Sequence, residues 1–220
     1  MNYSKKNRKL SAFGVKIRKN STSFVSKKPI IYFMLGALVF STVAFMKIDN
    51  QTAKEEAIDA FISMVNGNKA FTLEIAEAMP ADKYTFKPHD SVRSFGEQMA
   101  HIGMSSHFLL NLFINGEPMP TDPAVFENIG KVEKEMGASK EACIKSITEA
   151  YDAIISKYES MDAESLGETF VVPFDPSPDK PKFSKEKGFQ FISEHIAHHR
   201  GQALVSLRMQ GIKSPRYRLY

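Results

Sequence analysis

Six histidines offer the most distinctive chemistry in this sequence, and they fall into two groups along the chain. They are His89, His101, His107, His195, His198 and His199. On a helix that turns about 100° per residue, His195 and His199 project about 40° apart, one turn above each other. Two imidazoles at this spacing can bind one metal ion. The pair therefore predicts a metal site on a helix near the end of the chain.

His101 offers a third ligand from an earlier helix. Its helix face also carries Ser94 and Gln98, a small polar band within an apolar stripe. We expect His101 to point into the protein and to meet His195 and His199 there. Three neutral imidazoles leave coordination positions open, which is typical of catalytic sites rather than closed structural ones.

Two further polar residues lie one helical turn from these histidines. Gln202 follows His199 and is a candidate to orient a ligand or a metal-bound water. Glu97 precedes His101 and is the nearest candidate general base in the sequence. We therefore name Glu97 and Gln202 as candidate catalytic residues.

Other interpretations of these residues stay open. His198 lies about 60° from His195 on the helix and is an alternative ligand. Inward histidines can also be hydrogen-bonded core residues without a metal. We interpret Cys143 as a core or edge residue rather than a nucleophile, and Arg200 as an ion-pairing or bundle-bracing residue rather than a catalytic one.

The elements that must position these residues are predicted to be four helices. Apolar residues recur at helical spacing over residues 52–79, 92–113, 139–158 and 184–210. Pro80 ends the first helix, and Gly211 follows the last. The sequence therefore predicts an all-α fold, an antiparallel four-helix bundle with long connecting loops. The proline-rich loops are residues 114–138 and 161–183, and only residues 170–172 look strand-like.

A basic and hydrophobic leader precedes this domain. Residues 1–46 contain nine Lys and Arg and no acid, and residues 30–46 are 17 uncharged residues in a row. We expect an N-terminal hydrophobic leader helix, either an uncleaved membrane anchor or a signal cleaved after Ala44. The basic flank predicts a body outside the cytoplasm. The predicted divisions are residues 1–46 for the leader, 47–51 for a linker and 52–220 for the helical domain.

The charge balance excludes several classes of function. The whole chain has 29 basic and 25 acidic residues, but residues 47–220 have 20 against 25, a net charge of −5. Such a body is unsuited to nucleic acid, which requires clustered cations. The single cysteine excludes an intramolecular disulfide and a cysteine-rich zinc cluster.

Several segments together resemble the DinB/YfiT-like family. They are residues 80–84, residues 86–88, residues 93–102, residues 195–202 (HIAHHRGQ) and residues 207–217. The resemblance covers about residues 54–217. It implies a four-helix bundle that carries a divalent metal on three histidines, and those positions here are His101, His195 and His199.

The resemblance also implies classes of function. The expected protein is a metal-dependent enzyme whose divalent ion, zinc or nickel, activates water or a thiol, as a hydrolase or thiol-dependent transferase. Its partner would be a small-molecule substrate, with a thiol as one candidate, and a homodimer is kept open. Membrane contact would occur through residues 30–46 if they are not cleaved. The alternative is a non-catalytic exported or anchored bundle with a structural metal or histidine cluster, or a stress-response binding module.

Overall fold

The computed structural model describes the backbone of residues 28–218 and the side chains of residues 52–218, in both cases without Pro176. The chain divides into two units, Met1–Ile48 and Asp49–Tyr220. Within residues 52–218, whose side chains the structure describes, no helix has both the length and the apolar character needed to cross a membrane. The predicted anchor or signal at residues 30–46 lies outside the described side chains, so both alternatives stay predictions.

Helices account for most of the described backbone. They are α1 (Lys28–Ala78), α2 (Phe95–Leu110), α3 (Pro123–Gly137), α4 (Lys140–Glu159), α5 (Ala163–Gly167) and α6 (Lys185–Met209). A 3-10 turn covers Ala81–Lys83, a π-helical turn covers Asn111–Asn115, and two short strands are β1 (Thr169–Val171) and β2 (Lys182–Ser184). The all-α prediction is confirmed.

Serine caps set the starts of three long helices. The Ser94 hydroxyl accepts a hydrogen bond from the Glu97 amide at 3.1 Å, and the Glu97 carboxylate accepts one from the Ser94 amide at 2.6 Å. This reciprocal capping box begins α2. Ser139 and Ser184 cap α4 and α6 in the same position, through the amides three residues on. Local sequence therefore determines where these helices begin.

Each long helix contributes to a shared apolar core. Ile75 of α1, Met99 of α2, Ile147 of α4 and Ile192 of α6 have no exposed surface. Complete burial of such side chains stabilises the fold by about 1.5–3 kcal/mol each relative to exposure. This core holds α2 and α6 in fixed positions relative to each other.

Side-chain contacts give the direction of α1 relative to α4. The Phe61 ring stacks on Tyr158 at 4.1 Å, and the Thr72 and Tyr151 hydroxyls are 3.0 Å apart. Residue numbers therefore rise along α1 as they fall along α4, so the two helices are antiparallel.

Arg200 joins α6 to α1. Its guanidinium donates to the Asn68 side-chain oxygen at 2.8 Å and to the Thr72 hydroxyl at 3.3 Å, and only 6% of the residue is exposed. Farther along, Phe61 of α1 contacts Phe189 of α6. The two helices therefore run in the same direction, and Arg200 braces them as expected.

The region predicted as a loop over residues 114–138 contains a helix, which corrects that prediction. Asp122 accepts a hydrogen bond from the Ala124 amide at 2.9 Å and caps α3, and Pro123 occupies its first turn. Proline is well suited to this position because its fixed φ is helical and its missing N–H would have no partner there. The proline that suggested a loop in fact starts a helix.

Two glycines bring α3 against α2. A Cβ atom on Gly96 would lie 1.8 Å from the Gly137 carbonyl oxygen, and one on Gly137 would lie 2.7 Å from the Glu97 amide nitrogen. Only glycine permits such close backbone approach. The contact fixes the end of α3 beside the start of α2, and so places the preceding turn of α3 along the α2 face that carries His101.

The second predicted loop, residues 161–183, carries a small hairpin. Strands β1 and β2 pair antiparallel, with Phe170 opposite Phe183. The strand-like triplet predicted at residues 170–172 therefore corresponds to β1, displaced by one residue. Phe170 stacks on Phe113 at 4.7 Å and thereby attaches the hairpin to the π-helical turn that follows α2.

Candidate metal centre

Three histidines from two helices converge as the sequence predicted. One ring nitrogen from each of His101, His195 and His199 lies within 4.8 Å of the others. The Nε2 atoms of His101 and His195 are 3.3 Å apart. His199 is buried, while His101 and His195 are partly exposed. The cluster therefore lies at the edge of the core, where a small molecule can approach it.

A carboxylate on α3 orients His101. The Nδ1 atom of His101 is 2.6 Å from Oε2 of Glu133, and Arg93 donates from Nε to Oε1 of the same carboxylate at 2.5 Å. Burial acts to raise the pKa of Glu133, but the hydrogen bonds from His101 and Arg93, together with the charge of Arg93, hold that pKa below its ordinary value. An ionised Glu133 accepts a hydrogen bond from Nδ1–H of His101. The Nε2 lone pair of His101 is then left facing the other two rings.

A chain of amide hydrogen bonds orients His199. Its Nδ1 is 2.8 Å from Oε1 of Gln98, Gln98 donates to Oε1 of Gln202 at 2.8 Å, and Gln202 is 2.8 Å from Nε2 of His198. Because the Gln98 amide nitrogen is used by Gln202, its oxygen accepts from His199 Nδ1–H. His199 therefore also presents an Nε2 lone pair.

The two cluster histidines of α6, His195 and His199, are held in the neutral form. Burial, followed by the neighbouring His101, lowers the pKa of His195 to about 4 and that of His199 to about 3. A neutral imidazole has a lone pair to offer a cation, whereas imidazolium has none. At neutral pH both rings are therefore competent metal ligands.

The residues fit a divalent metal ion. Nitrogen ligands at about 2.0–2.1 Å from a tetrahedral zinc ion lie roughly 3.3–3.4 Å apart, close to the His101–His195 separation. Two of the three rings have their second nitrogen bound to a carboxylate or amide oxygen, the usual support for a metal-binding histidine. Three imidazoles placed together, with His195 and His199 held neutral, are therefore chemically consistent with a shared cation.

The other predicted site residues, Glu97, Gln202 and His198, lie outside the three-histidine cluster and have hydrogen-bond partners of their own. The Glu97 carboxylate is used in the α2 capping box and lies 3.7 Å from Lys87. Gln202 belongs to the hydrogen-bonded chain that reaches His199. His198 is exposed and bonded to Gln202, outside the three-histidine cluster. Catalytic roles for Glu97 and Gln202 stay predictions.

Glu133 is the site residue that the sequence interpretation missed. It lies on α3, in the segment taken for a loop, and only 7% of it is exposed. A signal was present, because Asp122 and Pro123 together mark a helix start. Treating residues 123–137 as a helix would have made a buried acid on it a candidate partner for an inward histidine.

Cys143 takes no part in this cluster. It is fully buried, and its thiol contacts the Met136 and Gly96 carbonyl oxygens at 3.3 and 3.5 Å. Burial raises the pKa of the Cys143 thiol to about 12. A protonated, enclosed thiol is a core residue, as predicted, and not a nucleophile.

The fold and the cluster define a class of protein: an all-α domain with three histidines arranged to hold a metal ion. The sequence profile of the DinB superfamily matches residues 68–203, more than half of the chain. The chain belongs to the DinB superfamily.

Known relatives agree with this assignment. The chain is 27% identical over 150 residues to the uncharacterised protein YjoA of Bacillus subtilis (strain 168), covering 68% of this chain and 88% of that protein. The crystal structure of the DinB-like YjoA matches with a TM-score of 0.53 and 21% identity, over 73% of this chain and 99% of that one. A DinB-like protein from Bacillus cereus ATCC 10987 matches with a TM-score of 0.56 and 12% identity, over 73% and 97%. These structures share the fold.

Proposed function

We propose that this protein is a metal-dependent enzyme in which His101, His195 and His199 bind a divalent ion. The observation that carries the proposal is the convergence of three ring nitrogens within 4.8 Å of one another. It is supported by the hydrogen bonds of His101 and His199, which turn a lone pair of each ring inward.

The ion is proposed to be zinc or nickel, which imidazole nitrogen suits. Three protein ligands leave room for an exogenous ligand, as in catalytic sites. Such an ion, when bound, lowers the pKa of water or a thiol, which is the chemistry of a hydrolase or a thiol-dependent transferase. The proposed substrate is a small molecule, and a thiol is one candidate for the co-substrate.

The protein's own residues have supporting roles in this proposal. Glu133 holds the His101 tautomer and compensates positive charge at the site, and Arg93 keeps Glu133 ionised. Gln98 holds His199, and Gln202 positions Gln98 through its amide oxygen. Gln202 therefore acts through another side chain, as a positioning residue. Because the Glu97 carboxylate is used in the capping box of α2, the carboxylate that contacts a histidine of the cluster is that of Glu133.

The arrangement of the four long helices belongs to the same proposal. We propose a four-helix bundle in which α1 and α6 run one way and α2 and α4 run the other. Supporting contacts join Gly96 to Cys143 and Gly103 to Ser146, so residue numbers rise together along α2 and α4. In this bundle α2 and α6 are antiparallel neighbours, and the histidines face each other across their contact.

Sequence features alone support proposals about the leader and assembly. We propose that residues 30–46 anchor or export the protein and that its body lies outside the cytoplasm, because the basic flank precedes an uncharged run. A membrane contact through residues 30–46 and a homodimer are parts of this proposal. Localisation of a fusion carrying a C-terminal reporter tests the first point.

The competing function is a bundle with a purely structural metal or histidine cluster, in an exported binding or stress-response module. Addition of 2-mercaptoethanol to cobalt-loaded protein separates the two. An accessible coordination position should give a thiolate-to-cobalt charge-transfer band that saturates with thiol concentration. A cobalt spectrum that 2-mercaptoethanol leaves unchanged would favour the structural role and contradict the enzyme proposal.

A further inference from the structure

A cavity of about 560 Å³ lies between α2 and α3, next to the histidine cluster. Its walls are mostly apolar: Met104 and Phe108 come from α2, and Phe126, Ile129 and Met136 come from α3. Phe126 is 42% exposed, so the cavity is accessible from solvent at this residue. Cavities of roughly 300–1,000 Å³ with apolar walls are typical of small-molecule sites.

The cavity shares two residues with the candidate metal centre. His101 and Glu133 both line it. Both oxygens of the Glu133 carboxylate are already engaged, one by Arg93 and the other by His101. The ion pair with Arg93 compensates the charge of Glu133. An apolar ligand in the cavity can therefore lie next to the metal centre without contacting an unpaired charge.

The polar groups of the lining are poorly placed to bind a charged ligand. The Ser105 hydroxyl donates to the His101 carbonyl oxygen at 2.5 Å, within its own helix. Glu133 is the acidic residue in the described lining, which includes His101 and His107 but neither lysine nor arginine. A carboxylate or phosphate placed among the apolar side chains would lie near Glu133 without a lysine or arginine to pair with, which costs free energy.

We propose that this cavity binds the uncharged apolar part, an alkyl, acyl or aryl group, of the small-molecule substrate that reacts at the metal centre. The proposal rests on the proposed function for its link to chemistry. The cavity would contribute binding energy and specificity. Because His101 and Glu133 belong to both the cavity and the metal centre, a substrate whose apolar group fills the cavity would have its reacting end at the metal centre.

Methionine methyl groups provide a site-resolved test in the full-length protein. Met104 and Met136 line the cavity, whereas the fully buried Met79 and Met99 do not. In protein labelled with [methyl-¹³C]methionine, 1-octanol should shift the Met104 and Met136 signals in a saturable way and leave Met79 and Met99 in place. Equal shifts of all four signals, or no saturable shift, would overturn the proposal.

Two substitutions on α3 form a matched pair for this titration. Ile129→Trp fills the cavity and should weaken 1-octanol binding at least tenfold. Val132→Trp adds the same ring three residues away, at an exposed position outside the lining, and should leave binding unchanged. Both positions are at least partly exposed, so the variants are expected to fold, and circular dichroism checks this. Equal binding by the two variants would contradict the proposed site.

The charge preference is tested with octanoate at pH 8, where the ligand is ionised, on metal-free protein, so that the carboxylate has no ion to coordinate. Octanoate should bind at least tenfold more weakly than 1-octanol, and equal binding would overturn the assignment to uncharged groups. The titration is repeated on the metal-free His195→Ala, His199→Ala variant, where 1-octanol should still bind. A wild-type protein that binds no metal would contradict the proposed function alone. Absence of 1-octanol binding in both the wild type and the variant would contradict the cavity proposal.

Discussion

The Nδ1 atom of His101 lies 2.6 Å from Oε2 of Glu133, so a histidine of α2 is oriented by a carboxylate of α3. A second carboxylate oxygen accepts from Arg93, which keeps Glu133 ionised and therefore an acceptor. This relationship determines which nitrogen of His101 carries the proton. The other nitrogen then faces His195 and His199, and the three rings form a site suited to a cation.

Removal of the Glu133 charge should weaken metal binding. Glu133→Gln keeps the size of the side chain but replaces the carboxylate that fixes the His101 tautomer. Loss of such a supporting acid typically lowers metal affinity about 10- to 100-fold. The affinity is measured by competition with a chromophoric zinc chelator. Glu135→Gln, an exposed position on the same helix, is the control and should change the affinity less than about twofold; equal effects would contradict the role of Glu133.

The close approach of α2 and α3 should make Gly137 intolerant of a side chain. Gly137→Ala places a Cβ atom 2.7 Å from the Glu97 amide nitrogen. The backbones must separate, at a cost of about 1–3 kcal/mol in the free energy of unfolding. Gly130→Ala on the same helix meets no atom within 4 Å and should stabilise the protein by about 0.5–1 kcal/mol, because alanine favours helix. Urea unfolding of the metal-free proteins measures both, and a Gly137→Ala protein as stable as Gly130→Ala would contradict this packing.

Acid should destabilise the metal-free protein through His195 and His199. Burial and His101 lower their pKa values in the folded state to about 4 and about 3, from an ordinary 6.5. The unfolded chain therefore binds more protons as pH falls below about 6.5, and the stability that these neutral rings contribute above that pH is lost toward pH 3. Unfolding free energies at pH 7.5 and pH 4.5 should differ more in the wild type than in the His195→Ala, His199→Ala variant. The same pH dependence in both proteins would argue against these shifts.

Cys143 should be unreactive until the protein unfolds. It is fully buried, with a thiol pKa raised to about 12, so little thiolate is present at pH 8. The thiol reagent DTNB should label less than about a tenth of the chains in an hour under native conditions and all of them in guanidinium chloride. Rapid native labelling would show that this part of α4 opens readily.

The sequence was sufficient for the parts of the fold that depend on local signals. Apolar spacing placed the starts of α2, α4 and α6 within three residues. Helical spacing also placed His195 and His199 on one face, and the small polar surroundings of His101 indicated an inward position. Each of these inferences depends on residues within a few turns of one another, which is why they could be made from one sequence.

The parts that could not be predicted depend on contacts between distant segments. Glu133 reaches His101 because Gly96 and Gly137 let two helices touch, a pairing that no local pattern reveals. The proline-rich appearance of residues 114–138 further concealed α3. Likewise, the link from Gln202 through Gln98 to His199 is visible only once α2 and α6 are side by side.

Anomalous scattering at metal absorption edges tests the central claim most directly. Crystals of the full-length protein grown with zinc or nickel should show one anomalous peak per chain at the three-histidine cluster, within about 2.0–2.3 Å of a nitrogen of His101, His195 and His199. The peak should disappear in the His195→Ala, His199→Ala variant and remain in His107→Ala. Peaks located elsewhere, or rings that stay hydrogen-bonded to one another without an ion at saturating metal, would contradict the account.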